Sequence, residues 1–211
     1  IITYTGTGAN ATIGHGLGMV PTFIIFRRYA QAENWNVYHK SAGADKSLRL
    51  NEKGASASDS TALNSTAPTS SLISLGSSVN TNASGNPMIA WCFSDVQGFS
   101  KAGSYTGNGN ADGTFVYTGF KPAWLMLKKT NGSESWIMVD TTRGLYNSAY
   151  KYLNANLNDS EGATDYLDIL SNGFKIRTTD GLVNEVDSDY FYIAFAEAPF
   201  VGSNNIPATA R

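Results

Sequence analysis

The chain has 211 residues, of which 15% are charged, and its formal net charge is −2. A net charge this small, with no run of basic residues longer than the pairs Arg27-Arg28 and Lys128-Lys129, argues against nucleic acid as a partner. One cysteine excludes an internal disulfide, and no apolar run approaches the roughly 18 residues of a membrane helix, so we expect neither a membrane span nor a signal peptide.

The first predicted strand, residues 2–5, opens a stretch that the chain repeats 101 residues later. Because the chain begins inside this strand, we expect the natural protein to begin before residue 1. The constant offset over about forty residues indicates an internal repeat and predicts two domains, residues 1–101 and 102–211. The identical pairs are Tyr4/Tyr105, Pro21/Pro122, Glu33/Glu134, Trp35/Trp136 and Gly43/Gly144.

The next predicted strands are apolar at consecutive positions, at residues 23–26 and again at residues 124–127. Such blocks are typical of strands that are buried on both faces. An alternating strand follows each block, and Asn131-Gly132 favours a tight hairpin turn before the second of these. We therefore expect each buried strand to pair antiparallel with the next one.

The later strands match between the halves at shifted offsets, which predicts insertions in loops. Residues 72–76 match residues 169–173 at an offset of 97, and each half closes with an apolar strand. Six or seven short strands in each half, separated by turn signals, predict an all-β fold of two tandem antiparallel β-sandwiches.

Three segments together resemble a known family: residues 101–130, which begin KAGSYTGNGNADG, residues 171–177, SNGFKIR, and residues 192–200, YIAFAEAPF. They are similar to a tandem domain of tail-fibre and other virion proteins of tailed bacteriophages, particularly phages of aquatic bacteria. The resemblance covers essentially the whole chain. It implies a jelly-roll or concanavalin-like sandwich, a place on the virion surface and no catalytic motif.

Three functions are compatible with that resemblance. The first is a non-enzymatic receptor-binding module that recognises host cell-surface polysaccharide or lipopolysaccharide. The second is a structural or decoration module that contacts only other virion proteins, and the third is a polysaccharide-degrading tailspike. Because fibres are commonly symmetric oligomers, we expect a homo-oligomer, with a trimer favoured.

Polysaccharide hydrolysis needs two carboxylates that face each other across a groove at roughly 5–9 Å. The candidates are Asp165 with Asp168, Glu185 with Asp187, and Glu197. None has a counterpart in the first half, so we expect a solvated strand edge at these positions and no enzymatic activity.

Metal ligation has weak support in the sequence. Residues 158–161 and 187–189 offer oxygen ligands of the kind that calcium takes, without the spacing of a defined calcium loop. His15 and His39 are the only histidines, which argues against zinc, and His39 aligns with Asp140 at a strand end, where a loop hydrogen bond is expected. We therefore predict no cofactor, with calcium as the one possible metal.

Aromatic ligand recognition is the favoured function, because tyrosine and tryptophan stack on the apolar faces of sugars. The four tryptophans are expected in the core. A cluster after the repeated stretch has tyrosines where the first half has none, and it is the predicted ligand-binding site: Arg143, Tyr146, Asn147, Tyr150 and Tyr152.

Overall fold

The protein is described by a computed structural model that covers residues 1–29, 31–143 and 151–197. The fold is nearly all β, with 44% strand and 4% helix in open antiparallel sheets, which confirms the predicted all-β sandwich class. The chain forms two compact units, Ile1–Ser94 and Asp95–Arg211. No helix in the described residues is long and apolar enough to cross a bilayer.

The first unit is built from a six-stranded sheet, in the order β1-β8-β3-β4-β5-β6, and a two-stranded sheet of β2 and β7. All neighbours in both sheets are antiparallel. The elements are β1 (Ile2–Thr5), β2 (Ala11–Gly14), β3 (Pro21–Arg28), β4 (Asn36–His39), β5 (Lys46–Arg49), β6 (Ala57–Ser58), β7 (Leu72–Leu75), α1 (Val79–Asn82) and β8 (Pro87–Ser94).

The second unit repeats this plan with a six-stranded sheet in the order β14-β13-β12-β11-β17-β9, and its smaller sheet has three strands in the order β10-β16-β15. The elements are β9 (Ser100–Thr106), β10 (Phe115–Tyr117), β11 (Pro122–Lys129), β12 (Ile137–Asp140), β13 (Lys151–Asn154), β14 (Gly162–Ala163), β15 (Leu167–Leu170), β16 (Gly173–Ile176), α2 (Gly181–Asn184) and β17 (Asp189–Ala196). The described strands exceed the six or seven expected per half because of the two-residue strands β6 and β14 and the additional strand β15.

In each unit the core lies between the large and the small sheet. The first core joins Ile24 and Phe26 of the large sheet to Ile73 and Leu75 of the small one. The second joins strands β11, β12 and β17 to the inward side chains of the small sheet, among them Val116. Burial of these apolar faces is the main favourable contribution to folding, at about 25 cal/mol per Å².

The apolar blocks form the matching strands β3 and β11, each of eight residues. Phe23 and Ile24 are neighbours in sequence and point to opposite faces, yet both are buried, which confirms the expectation for such a block. Both strands pair antiparallel with the next strand, as predicted. The prediction of a tight turn at Asn131-Gly132 was wrong. The connection runs from residue 130 to 136, and neither Asn131 nor Gly132 has a positive φ.

The register of the small sheets corrects one part of the repeat alignment. Strand β2 pairs with β7, at Leu72–Leu75, and its counterpart β10 pairs with β16, at Gly173–Ile176. The structural offset is therefore 101 residues, and the match of residues 72–76 with residues 169–173 was wrong. Strand β15 (Leu167–Leu170) is an addition of the second unit that widens its small sheet.

Candidate ligand-binding surface

The outer face of the small sheet of the second unit exposes aromatic and charged side chains. Side chains alternate across a strand, and directly paired residues point the same way. Val116, Phe174 and Ile169 are paired neighbours that all point into the core. The residues that flank them in sequence therefore form the outer face.

Two rows of paired residues make up this outer face, and each row contains one residue from each strand. The first row is Phe115, Lys175 and Asp168, and the second is Tyr117, Gly173 and Leu170. Phe115 and Tyr117 are 44% and 58% exposed, although such large rings are normally covered. Phe115 and Tyr117 lie two residues apart on an edge strand, and their two exposed rings are called the platform below.

Gly173 is required at the centre of this face. A Cβ atom built on Gly173 would lie 2.1 Å from the carbonyl oxygen of Val116 and 3.2 Å from the Phe115 ring. Real Cβ atoms do not approach a carbonyl oxygen so closely, so a side chain at this position would displace the neighbouring strand. Gly173 itself is buried, and without a side chain it lets the Val116 carbonyl and the Phe115 ring pack against its backbone.

Charged side chains border the Phe115 end of the platform and are paired with one another. Asp112 accepts from Lys175 at 2.6 Å and lies 3.4 Å from the Arg177 guanidinium, which also pairs with Asp168. The hydrogen bond from Lys175 is the main cause that lowers the pKa of Asp112. Both Asp112 and Asp168 are thus held in ion pairs on this side of the platform.

Lys101 borders the opposite end. It lies on β9, the edge strand of the large sheet, and its Nζ donates to the Tyr117 carbonyl oxygen at 2.8 Å. The same ammonium lies 5.3 Å from the centre of the Tyr117 ring, within the range of a cation–π contact. This contact fixes one side of the ring and leaves the tyrosine more than half exposed.

The first unit has no such platform on its small sheet. Ile13 pairs with Ile73 there, as Val116 pairs with Phe174, so Thr12 and Gly14 stand at the positions of Phe115 and Tyr117. Among the described strands, the small sheet of the first unit therefore lacks the two exposed rings of the second.

Two of the five predicted ligand-binding residues lie in the described part of the chain. Arg143 pairs with Asp140, with 2.7 Å between Nε and Oδ2, and its backbone N–H donates to the same carboxylate. Tyr152 packs edge-on against Tyr166, with ring centres 5.0 Å apart, and its ring covers Gly162. Both side chains are thus engaged within the unit.

The other three, Tyr146, Asn147 and Tyr150, lie outside the described residues. Ligand binding by the whole set therefore stays a prediction.

Two of the five candidate carboxylates are held by cations. Asp168 pairs with Arg177, and Glu185 pairs with Lys129 and accepts from Ser188. Hydrogen bonds from Lys129 and Ser188 lower the pKa of Glu185, whereas a general acid needs a raised pKa. Asp187, the proposed partner of Glu185, adopts a left-handed backbone conformation with φ 57°. Asp165 and Glu197 are exposed, and a catalytic role for them stays a hypothesis.

In the described residues no group of three or more His, Cys, Asp or Glu side chains is placed to hold a metal. Glu161 pairs with Lys151 at 3.0 Å. His15 uses both ring nitrogens, one with the Thr69 carbonyl and one with the Leu17 backbone N–H.

His39 and Asp140 play the same part in the two units. His39 Nδ1 accepts from the backbone N–H of Ser41, and Asp140 Oδ1 accepts from that of Thr142. The prediction of a loop hydrogen bond at this aligned position is confirmed.

The tryptophans divide between the core and partly exposed sites. Trp136 is buried at 2% exposure, as expected for all four. Trp35 is partly exposed and stacks on Trp91 with ring centres 5.5 Å apart, while the Arg27 guanidinium lies 4.5 Å from the Trp35 ring centre. The prediction that all four tryptophans lie in the core was therefore wrong for Trp35, and its ring is already engaged in contacts within its unit.

Sequence reasoning missed the platform because the segment 115–117 alternates large residues without indicating which face is inward. Judged by side-chain volume alone, the face with Phe115 and Tyr117 would be assigned to the core and the face with Val116 to the solvent. The repeat carries the signal that identifies the inward face. When β10 is matched to β2, Val116 aligns with Ile13, whose partner in the sheet is the core residue Ile73. Phe115 and Tyr117 then become the outward residues that the first half lacks.

Comparison with known proteins gives one family. No curated protein and no solved structure matches the chain. Residues 1–199 match a single family described as a domain of unknown function, DUF7483, whose match spans both units. The family match therefore covers both halves of the chain together, and the chain belongs to this family.

Proposed function

We propose that this protein is a non-enzymatic carbohydrate-binding module and that the outer face of β10, β16 and β15 is its glycan-binding surface. The observation that carries the proposal is the exposure of Phe115 and Tyr117 side by side, 44% and 58%. Apart from function, two such rings on an edge strand incur an unfavourable hydration free energy that a polar residue would avoid.

The surroundings of the rings match the chemistry of a sugar. A sugar ring has an apolar CH face that stacks on an aromatic side chain and a rim of hydroxyls that needs hydrogen-bond partners. Asp112, Asp168, Lys175 and Arg177 supply charged acceptors and donors beside the platform. Their mutual ion pairs also hold the side chains in place before a ligand arrives, which reduces the entropy lost on binding.

The resemblance to phage virion proteins extends this proposal to a biological setting. In that setting the protein is a tail-fibre receptor-binding module on the virion surface, its ligand is polysaccharide or lipopolysaccharide of the host cell, and several copies act together. Multiple copies raise the apparent affinity for a repetitive polymer by 10²–10⁴, roughly, without any new contact.

The test is binding of the purified chain to immobilised lipopolysaccharides and capsular polysaccharides of aquatic bacteria. The double variant Phe115→Ser/Tyr117→Ser removes both rings while Val116 keeps the core intact. We expect its affinity to fall at least roughly tenfold, because truncation of a central aromatic contact commonly costs more than 1 kcal/mol.

The matched control is Tyr29→Ser, since Tyr29 in the first unit is 57% exposed, nearly as much as Tyr117. This control should bind as the wild type does. Equal binding by the double variant would contradict the proposal, as would the absence of binding to every polymer. Release of new reducing ends from a bound polymer would show that the protein degrades polysaccharide and would contradict a purely binding function.

A second candidate function, a purely structural module of a homo-oligomer, is favoured by a different observation. The loop after β2 exposes three apolar side chains, Leu17, Met19 and Val20, at 38%, 45% and 50%. Exposed apolar side chains in one loop are typical of surfaces that a protein partner covers. A symmetric contact would reuse this loop in every copy.

This second function is tested by the molar mass of the purified protein in solution, measured by light scattering. The triple variant Leu17→Ser/Met19→Ser/Val20→Ser should convert an oligomer into monomers if the loop forms the contact. A wild-type monomer, or a variant that remains oligomeric, would contradict it.

A further inference from the structure

We infer that the platform selects acidic glycans and that Lys101 binds the carboxylate of the sugar that stacks on Tyr117. This inference rests on the proposed function and adds the chemical class of the ligand. Its basis is the balance of charges around the platform and the place of Lys101 within it.

The charged groups of the face do not cancel. Two carboxylates, Asp112 and Asp168, face three cations, and both carboxylates are taken by Lys175 and Arg177. Lys101 is the third cation, and in the described part of the chain its ammonium contacts the Tyr117 carbonyl and ring and no carboxylate. One positive charge is therefore left without an anionic partner at the Tyr117 end.

The geometry places that charge where a bound sugar would meet it. Lys101 extends from the edge strand β9 of the large sheet to the edge strand β10 of the small sheet, and the carbonyl of Tyr117 holds its Nζ. An ammonium has three N–H donors, so the bond to the carbonyl leaves two for a ligand. The ammonium lies on one face of the Tyr117 ring, so a sugar stacked on the opposite face reaches it with a substituent that extends past the edge of the ring.

A neutral sugar uses such a group only as an ordinary hydrogen-bond donor. A carboxylate on the sugar forms a charge-assisted hydrogen bond, which is roughly twice as strong as a neutral one. The carboxylates at the Phe115 end do not repel an acidic sugar at the Tyr117 end, because Lys175 and Arg177 neutralise them. Selection by charge should thus be localised to one end of the platform.

The test compares acidic bacterial polysaccharides with the same polymers after reduction of their carboxyl groups to alcohols. The reduced polymer keeps the ring faces and loses only the negative charge. We expect the wild type to bind the native polymers roughly tenfold or more tightly than the reduced ones at physiological salt. Lys101→Met should abolish this preference, and Lys101→Arg should retain most of it.

Lys46→Met is the matched control for net charge, because Lys46 is an exposed lysine of the first unit. It should leave the preference unchanged, and a loss of preference in this variant would mean that overall charge is responsible. Equal binding of native and reduced polymers by the wild type would overturn the inference, as would a preference that persists in Lys101→Met. In either case the proposed function stands if Phe115→Ser/Tyr117→Ser still lowers the affinity at least roughly tenfold, whereas no binding to any polymer contradicts it.

Discussion

Asn82 and Asn184 occupy the same position in the two units and make the same set of hydrogen bonds. Both are completely buried, at the last residue of the short helix before the closing strand. Asn82 accepts from the Thr7 N–H and donates to Gly76 O and Ala9 O.

Asn184 accepts from the Asn108 N–H and donates to Thr178 O and Asn110 O. Each asparagine therefore ties the repeated YTGTG or YTGNG loop to the end of the helix.

Removal of either asparagine should destabilise its own unit. Asn184→Ala and Asn82→Ala each leave several buried backbone groups without partners, and we expect a loss of about 2–4 kcal/mol in the free energy of unfolding. Urea denaturation measures it. Asn158→Ala, in an exposed loop, is the control and should change stability by less than about 0.5 kcal/mol. Similar small values for all three variants would refute this role.

The glycines of the repeated motif should be intolerant of any side chain. A Cβ at Gly107 would lie 2.3 Å from the Glu185 carbonyl oxygen, and one at Gly6 would lie 2.1 Å from that of Ala83. We expect Gly107→Ala to lose about 1–3 kcal/mol through overpacking.

Gly54 is the matched control for this substitution, because a Cβ there meets nothing within 4 Å. Gly54→Ala should be nearly neutral in the same denaturation experiment. A Gly107→Ala protein as stable as Gly54→Ala would show that the loop can move away from the helix end.

Lys128 should make stability rise with pH in the weakly alkaline range. Burial lowers the pKa of Lys128 to about 8, and its Nζ donates to the carbonyls of Lys129 and Gly132. Between about pH 8 and the unfolded value near 10.4, the unfolded state binds more protons than the folded state, so folding gains stability as pH increases. The wild type should therefore gain stability relative to Lys128→Met over this interval. A constant difference between the two proteins would contradict the shift.

Strongly alkaline solution should unfold the second unit through its tyrosines. Burial raises the pKa of Tyr190 and of Tyr192 to about 12. A raised folded-state pKa means that the stabilisation is complete below about pH 10 and is lost as pH rises through 12. Ultraviolet titration of the phenols should show a late group that ionises together with the loss of circular dichroism. Ionisation of every tyrosine near pH 10 with the fold intact would rule this out.

The sequence predicted the architecture because its repeat carries the same packing demands twice. Residues 21–28 and 122–129 must both be buried on two faces, so the identical spacing predicts identical strands. The closing strands are apolar for the same reason. The chain order of these large-sheet elements followed from pattern alone.

The small sheets were harder to predict because their pairing is not local in sequence. Strand β10 pairs with β16, more than fifty residues later, and this pairing decides that Val116 points inward and Tyr117 outward. The predicted cluster around Arg143 was chosen from tyrosine content, whereas the platform depends on which side of a strand the rings occupy. Periodicity alone does not settle that choice in a three-residue strand.

The most direct test of the account is to map the bound glycan by nuclear magnetic resonance. The polymer fragments to be titrated are those from the tightest-binding bacterial polysaccharide. We predict that the largest shift changes fall on the backbone amides of Phe115, Tyr117 and Lys175, with smaller changes in the first unit. Changes that concentrate around Arg143 and Tyr152, or that are absent at saturating glycan, would contradict the assignment of the binding surface.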